Sequence, residues 1–401
     1  MGAEGEEMLG GLVLGDHVTS LEDLPGQVAM HAAPAGFTAT AIYVTDLQQR
    51  LLVPLPGQRD PSGAPLEPER IDDSEAGLAF RSVELVRSGV SGPGERVWAP
   101  LLDGTERIGV LGLTVLRLDD VAERRVLRLA SLLAVLLVSK RQASDTYACL
   151  IRRQPMELSA EVLWSLLPIR AFANERVVVS AALEPAYVVG GDAFDYAVTG
   201  DTLHLAVFDA MGHDTSAGLT ATIAMGSYRN NRRQDADLFA AAESIDAAIA
   251  DQFGRTRFAT GILAALDTGT GELTWVNRGH HPPMVLRGGR VEATLETLPD
   301  PPMGFRLGAD AGPSRYRLEP GDRLVFYTDG IVEAKSPLGE VFGLERFVDF
   351  IIRHEADGVT APETLRRLIQ AILDHQNGHL QDDATVMLVE WRTQQHQRLA
   401  L

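Results

Sequence analysis

Gly261–Asn277 reads GILAALDTGTGELTWVN. One apolar run, Gly261 to Asp267, meets a second, Glu272 to Asn277, across the turn Thr268-Gly269-Thr270-Gly271. So short a connection joins antiparallel neighbours, because parallel strands need a crossover of a dozen residues or more. Further β-rich runs lie on either side: VVVSAAL (Val177–Leu183), TLHLAVFD (Thr202–Asp209) and DRLVFYTD (Asp322–Asp329). Helical patterns separate them at about Ser216–Arg229, Ala236–Gln252, Leu344–His354 and Thr364–Gln376. This alternation predicts an α+β layered domain and argues against a doubly wound parallel sheet.

The N-terminal part has a different pattern. Met8 to about Ala33 carries apolar residues at helical spacing, with a break expected at Pro25-Gly26. Thr38–Pro56 reads as a hairpin around Asp46-Leu47-Gln48-Gln49, and Gly57–Pro68 as a Pro- and Gly-dense loop. Arg96–Leu118 is a second hairpin with Asp103-Gly104 at its turn. Asp119–Arg153 is the longest stretch without Pro or Gly and is expected to be one helix, capped by Asp119 or Asp120 and ended by Pro155. Its leucines, among them Leu129, Leu132, Leu133, Leu136 and Leu137, cover more than one side. Such a helix needs a partner on each side. The preceding sheet is one. The other is either the same helix of a second subunit, giving a homodimer through 119–153, or burial within a single chain. Met156–Pro168 (MELSAEVLWSLLP) is a second short helix.

Composition bounds the function. The 401 residues suggest two or three domains. A formal net charge of −19 repels a phosphate backbone, so nucleic-acid binding is not expected. A single cysteine, Cys149, excludes an internal disulfide and a Cys-rich zinc site. The N-terminus is acidic where a signal peptide would be basic, and the most apolar stretch, Val126–Val138, is too short to span a bilayer. A cytoplasmic protein without membrane contact is expected.

The chemistry sits in aspartates at strand ends and turns. Asp192 follows Gly190-Gly191, Asp209 ends one apolar run and Asp329 ends another ahead of Gly330, and Asp382-Asp383 opens a third. Asp beside Gly is a common turn dipeptide, so each alone is more often a turn than a ligand. As an ordered set of four they are far more specific. Carboxylates projecting from several strand ends can converge on one point. There they stay ionised together only with a cation among them. Oxygen donors with water in the remaining positions suit Mg²⁺ or Mn²⁺. Flanking glycines permit tight turns and close backbone approach.

The stretches VVGGDAFDY, FDAMGH, TWVNRGHHPP, LEPGDRLVFYTDGIVEA and QDDATVMLV, in this order, resemble the PPM family of metal-dependent Ser/Thr phosphatases (type-2C protein phosphatases) in its bacterial SpoIIE/RsbU branch. The resemblance covers about Glu157 to Trp391. It implies an α-β-β-α sandwich of two antiparallel sheets with two metal ions, Mn²⁺ or Mg²⁺, between them. By position Asp209 resembles the carboxylate bridging both ions, and the Ala210 carbonyl would touch the first. Asp192 would serve the first ion, directly or through water. Asp329 and Asp382 would hold the second. Asp383, Gly191 and Gly330 would support these ligands, although Asp382 and Asp383 could exchange roles. Asp209 and Asp192 are the catalytic candidates, and the implied chemistry is in-line attack on phosphorus by a metal-activated water.

Several residues depart from the family pattern or invite other readings. Asp214 stands where the branch often has Gly, and tolerance is expected there. Met211 takes the place of the eukaryotic general-acid His, so His213 is not assigned as the acid and is expected to be a turn residue. No match for the eukaryotic phosphate-binding Arg is evident. His280 and His281 look like a zinc pair, but their spacing favours a turn. Glu333 fits a support or a helix cap equally. The basic cluster Tyr228–Arg233 is a solvated helix end or a contact for an acidic protein. Trp164 is expected in the core.

Arg96–Leu118 with its following helix resembles the last strands and closing helix of a GAF domain, over about Leu9 to Lys140. The expected organisation is therefore 1–140, a GAF-like sensor or dimerisation domain; 141–170, linker helices; and 171–393, the phosphatase domain. The resemblance implies a phosphorylated protein substrate, an anti-anti-sigma factor of the STAS class, in partner-switching control. The alternatives are a silent scaffold of the same fold and a hydrolase of small phosphate esters.

Overall fold

The computed structural model describes residues 3–15, 19–91, 94–185, 187–188, 190–308, 312–378 and 380–392. It divides into two compact units, Met1–Pro155 and Met156–Leu401. Thr393, the last residue of the expected 171–393 span, lies outside the described residues. Among the described residues no helix is long and apolar enough to cross a membrane.

In the N-terminal unit the strands β1 (Phe37–Thr45), β2 (Leu51–Pro54), β3 (Glu69–Arg70), β4 (Val86–Ser91), β5 (Gly94–Asp103) and β6 (Glu106–Val115) form one sheet, in the order β3-β2-β1-β6-β5-β4. All its pairings are antiparallel. The helices are α1 (Ala3–Gly15), α2 (Leu24–Ala32), α3 (Glu75–Ser82), α4 (Asp120–Arg141) and α5 (Asp145–Ile151). The period of two along each strand divides the core. Ile42, Val44, Val97, Leu111 and Leu113 pack with Met8, Leu24, Val28 and the inner face of α4. Tyr43, Trp98 and Val110 pack with Ala76, Ala79 and Phe80 of α3 on the other side.

Two expectations are corrected here. Pro25-Gly26 does not break a helix. It lies in the first turn of α2, where proline's missing N–H costs nothing. The expected 119–153 helix ends at Arg141, and α5 restarts after Ser144, whose hydroxyl accepts the Tyr147 N–H at 3.2 Å. A local side-chain cap competes with helix continuation at that point. Asp119 caps α4 as expected, accepting from Val121 and Ala122. The 141–170 segment is not one piece: α5 falls in the first unit, and the boundary lies at 155/156.

The C-terminal unit holds α6 (Leu158–Leu166), β7 (Ala171–Ala173), β8 (Val177–Glu184), β9 (Asp192–Thr199), β10 (Thr202–Ala210), α7 (Thr215–Arg232), α8 (Leu238–Phe253), β11 (Ala259–Asp267), β12 (Glu272–Arg278), β13 (Met284–Arg287), β14 (Arg290–Thr294), β15 (Ser314–Arg317), β16 (Arg323–Tyr327), α9 (Asp329–Val332), α10 (Leu344–Ala356), α11 (Ala361–His375) and β17 (Ala384–Trp391). The strands form two antiparallel sheets, β15-β12-β11-β10-β9 and β14-β13-β16-β17-β8-β7. The expected β11–β12 hairpin is present, with Gly261 opposite Arg278 and Leu266 opposite Leu273.

Strand alternation again sorts the layers. On β16 and β17, Leu324, Phe326, Met387 and Val389 join the core that includes β10, β11, α7 and α8. Val325, Tyr327, Val386 and Leu388 face the opposite way, against α10 and α11. On α11, Leu365, Leu368, Ile369, Ile372 and Leu373 give the 3.6-residue stripe that docks there. The result is the α-β-β-α arrangement the motifs imply.

The basic cluster after Tyr228 is structural. Arg229 grips the buried Asp195 of β9 through two bonds, Nε to Oδ2 at 3.1 Å and a terminal nitrogen to Oδ1 at 2.6 Å. Arg232 adds a third at 2.9 Å. Removing one member of a buried ion cluster strands the others without solvent. Asp195→Ala is therefore expected to lower the stability of the C-terminal unit by about 3 kcal/mol, read as a shift of its urea midpoint. An unchanged midpoint would show the cluster to be dispensable.

Candidate functional site

Asp192 opens β9 and Asp209 lies near the end of β10, and the antiparallel register sets them directly opposite each other. Side chains so paired share a face about 5 Å apart, an unfavourable place for two like charges. By alternation Asp209 shares its face with Leu203, Leu205 and Val207. Asp329 begins α9, directly after β16, and Asp382 and Asp383 precede β17. Strand ends from both sheets thus deliver their carboxylates to one end of the sandwich.

Asp192, Asp209, Asp382 and Asp383 report their neighbours in their affinity for protons. Burial pushes the Asp192 carboxyl well above the usual range, and the charges of Asp209 and Asp383 add to that while the Thr328 hydroxyl partly opposes it. Asp209 is pushed up to about 7 by burial and then by Asp329, Asp382 and Asp383. Asp382 is raised by burial and by Asp329, with the Asp383 N–H and His213 pulling the other way. Asp383 is pushed up to about 6 by burial, against three backbone hydrogen bonds.

Asp382 and Asp383 are told apart by their bonds. Asp383 is buried and accepts the N–H of Gly190 at 2.9 Å on one oxygen, with those of Gly191 at 2.8 Å and Asp192 at 3.1 Å on the other. Both its oxygens are occupied in holding the Gly-Gly-Asp turn. Asp382 lies at the surface with its carboxyl group partly covered, and one of its oxygens accepts the Asp383 N–H at 2.9 Å. The glycines are required by space. A Cβ on Gly191 would come within 2.1 Å of the Ala210 carbonyl oxygen, and one on Gly330 within 1.9 Å of the Asp383 carbonyl oxygen.

Two contributors escape a reading of motifs. Thr328, fully buried, donates to Asp192 at 2.6 Å and accepts the Thr385 N–H at 2.9 Å. Its only signal is a polar residue inside the apolar run before Asp329. Arg257 donates to the Met211 carbonyl at 3.1 Å and to Asp214 at 2.6 Å, bracing the turn after Asp209. Asp214 also caps α7 through the Ala217 N–H. Position 214, where tolerance of Asp is expected, accommodates it in these two structural contacts. His213 is exposed, beside Asp382.

The remaining readings resolve simply. His280 is buried in a turn closed by Asn277, whose side chain pairs with the His280 N–H and carbonyl. His281 stacks on Tyr327 at 5.6 Å. The turn expected at His280-His281 is present. Glu333 is the C-terminal cap of α9 and is exposed. Trp164 is partly buried against the main core, under the Arg170 guanidinium.

The donor set fits divalent cations held partly by water. Among the described residues no three His, Cys, Asp or Glu side chains make a ready cage for one ion. The acids come as a chain of near neighbours. One or two carboxylates per ion, with water completing the shell, is how Mg²⁺ is usually held. The raised affinities say the same: the carboxylates press on one another, and among the described residues no basic side chain is bonded to Asp192 or Asp209 to relieve them.

Comparison with known proteins gives consistent matches. Residues 199–392 match the family model described as Stage II sporulation protein E (SpoIIE). Protein IcfG of Synechocystis sp. (strain ATCC 27184 / PCC 6803 / Kazusa) is 24% identical over 273 residues, which cover 60% of this chain and 42% of IcfG. Phosphoserine phosphatase RsbU of Bacillus subtilis (strain 168) is 20% identical over 244 residues, 59% of this chain and 70% of RsbU. The solved SiaA-PP2C domain of Pseudomonas aeruginosa superimposes with a TM-score of 0.50 at 20% identity, over 64% of this chain and 99% of that domain. The last match shows the fold.

The acids also set a pH dependence. Asp209 holds its proton to about pH 7 when folded, against an ordinary 3.8. The folded state therefore binds more protons than the unfolded one between those limits, and stability falls as pH rises through them. In chelator, the melting temperature of the C-terminal unit is expected to drop from pH 5 to pH 7.5. Mn²⁺ should raise it more at pH 7.5, where it has fewer protons to displace. Asp209→Asn should flatten the chelator slope; an identical slope in the variant would remove Asp209 as its source.

Proposed function

We propose that the C-terminal unit, of which residues 199–392 match the SpoIIE family model, is a phosphatase domain of the PP2C/PPM type and that the chain is a metal-dependent protein serine/threonine phosphatase. The observation that carries the reading is the meeting of Asp192, Asp209, Asp329 and Asp382 at one end of two sheets, with carboxyl groups whose mutual repulsion a cation would relieve. Two ions, Mn²⁺ or Mg²⁺, when bound supply an activated water and offset charge on the phosphoryl oxygens. In this reading Asp209 would serve both ions, with the Ala210 carbonyl and Asp192 assisting at the first and Asp329 and Asp382 at the second. Asp383, with Gly191 and Gly330, keeps the backbone of the site closed. Thr328 helps fix the orientation of Asp192 by donating to one of its carboxylate oxygens.

The substrate class in this reading is a phosphoserine or phosphothreonine protein. The likeness to RsbU, named a phosphoserine phosphatase, supports it. An anti-anti-sigma factor of the STAS class in a partner-switching pathway is the specific substrate we infer. The N-terminal unit would be the GAF-like sensor, and a second copy of the chain would pack on α4, where Leu127 and Val135 are exposed.

Turnover of an aryl phosphate by the full chain tests the reading. Activity is expected with Mn²⁺, and none with chelator. Asp209→Ala should lower kcat by more than about 100-fold, beyond the 10–100-fold typical for groups that only support a metal ligand. Equal turnover in variant and wild type, or activity indifferent to chelator, would overturn it.

A further inference from the structure

A cleft beside the acids is lined by Asp329, Gly330, Glu333, Lys335, Gln381 and Asp382, among others. Lys335 carries the only positive charge among the described residues lining it. The chain has just two lysines among its 36 basic residues, and the other, Lys140, donates to the Thr19 carbonyl at 2.6 Å. The backbone of Lys335 is firmly held. Its carbonyl accepts from the Gln381 side chain at 3.3 Å, it bridges to Val341, and the neighbouring Ala334 carbonyl accepts the Phe342 N–H at 2.7 Å. Its side chain is exposed, and among the described residues its ammonium enters no ion pair, although Glu333 and Asp382 line the same cleft. The nearby Arg257, by contrast, is committed to Met211 and Asp214.

A chain of net charge −19 repels a dianionic phosphate ester approaching an acidic cleft. A cation at the mouth counters that, and a lysine offers three donors on a flexible stem, able to follow an oxyanion as it seats. Building on the phosphatase reading, we propose that Lys335 binds an oxyanion of the phosphoprotein substrate and is a specificity-determining residue of the site. The oxyanion is either the phosphoryl group itself or an acidic side chain next to the phosphorylated residue.

The test compares wild type, Lys335→Ala and Lys335→Arg on a phosphoserine peptide with acidic flanks and on an aryl phosphate, both with Mn²⁺. Lys335→Ala is expected to lower kcat/KM for the peptide roughly tenfold, mainly through KM, and to weaken the dependence of KM on salt. Lys335→Arg should keep most of the wild-type value. An equal loss on the aryl phosphate assigns the contact to the phosphoryl group; a loss confined to the peptide assigns it to the acidic flank. Mn²⁺ affinity by calorimetry and the melting temperature should match wild type. The proposal is overturned if kcat/KM for both substrates stays within about twofold at low ionic strength, or if the loss comes with weaker Mn²⁺ binding. Should wild type hydrolyse neither substrate, the phosphatase reading fails by itself. Calorimetric binding of inorganic phosphate to the Mn²⁺-treated proteins then decides on Lys335: weaker binding by Lys335→Ala supports the contact, and equal binding overturns it.

Discussion

The carboxylate of Asp383 takes three backbone N–H groups from the turn Gly190–Asp192, and through that contact the two sheets are joined at the end where the acids meet. Asp383 stands just before β17 of one sheet and the turn just before β9 of the other. Thr328, between β16 and α9, makes a second tie by donating to Asp192. Both ties consume buried polar groups that would otherwise be costly. They also draw the strand ends so close that a side chain fits neither at Gly191, against the Ala210 carbonyl, nor at Gly330, against the Asp383 carbonyl. The acids are crowded because the backbone that carries them is crowded.

That crowding explains what was legible in the sequence. The β11–β12 hairpin declares itself because its turn is too short for any other connection, and the alternation of helices and strands then limits the layers. Asp209 and Asp329 are visible because a charge ending an apolar run is costly unless used, and Asp192 and Asp382 join them as members of an ordered set. What escaped depends on contacts distant in sequence. Asp195 lies within a quoted motif, yet its partners Arg229 and Arg232 come 34 and 37 residues later. Arg257 braces a turn 43 residues before it through Asp214. The break after Arg141 turns on a single serine cap, a local competition of small energy that leucine spacing does not register.

The division between Asp382 and Asp383 shows where one-dimensional reading stops. The two are chemically identical neighbours, and motif position allows their exchange. Their difference is one of direction. One enters the interior and spends both oxygens on backbone amides, while the other stays at the surface beside Asp329 and His213. No property of the residues themselves ranks them; the path of the chain into β17 does.

Burial and mutual repulsion raise the proton affinity of Asp192, Asp209, Asp382 and Asp383 together. A site so built stores an unfavourable interaction that either protons or a cation can discharge, and the two compete for it. At neutral pH, where protons are scarce, the cation is the stronger remedy. Binding it then stabilises the folded state by mass action. The hydrogen bonds to Asp383 and Thr328 keep the carboxylates near one another without that help, so the fold holds the donors close before any ion arrives. Preorganisation of this kind trades stability of the metal-free protein for affinity, and the traded interaction sits at the end of the sandwich where the proposed chemistry takes place.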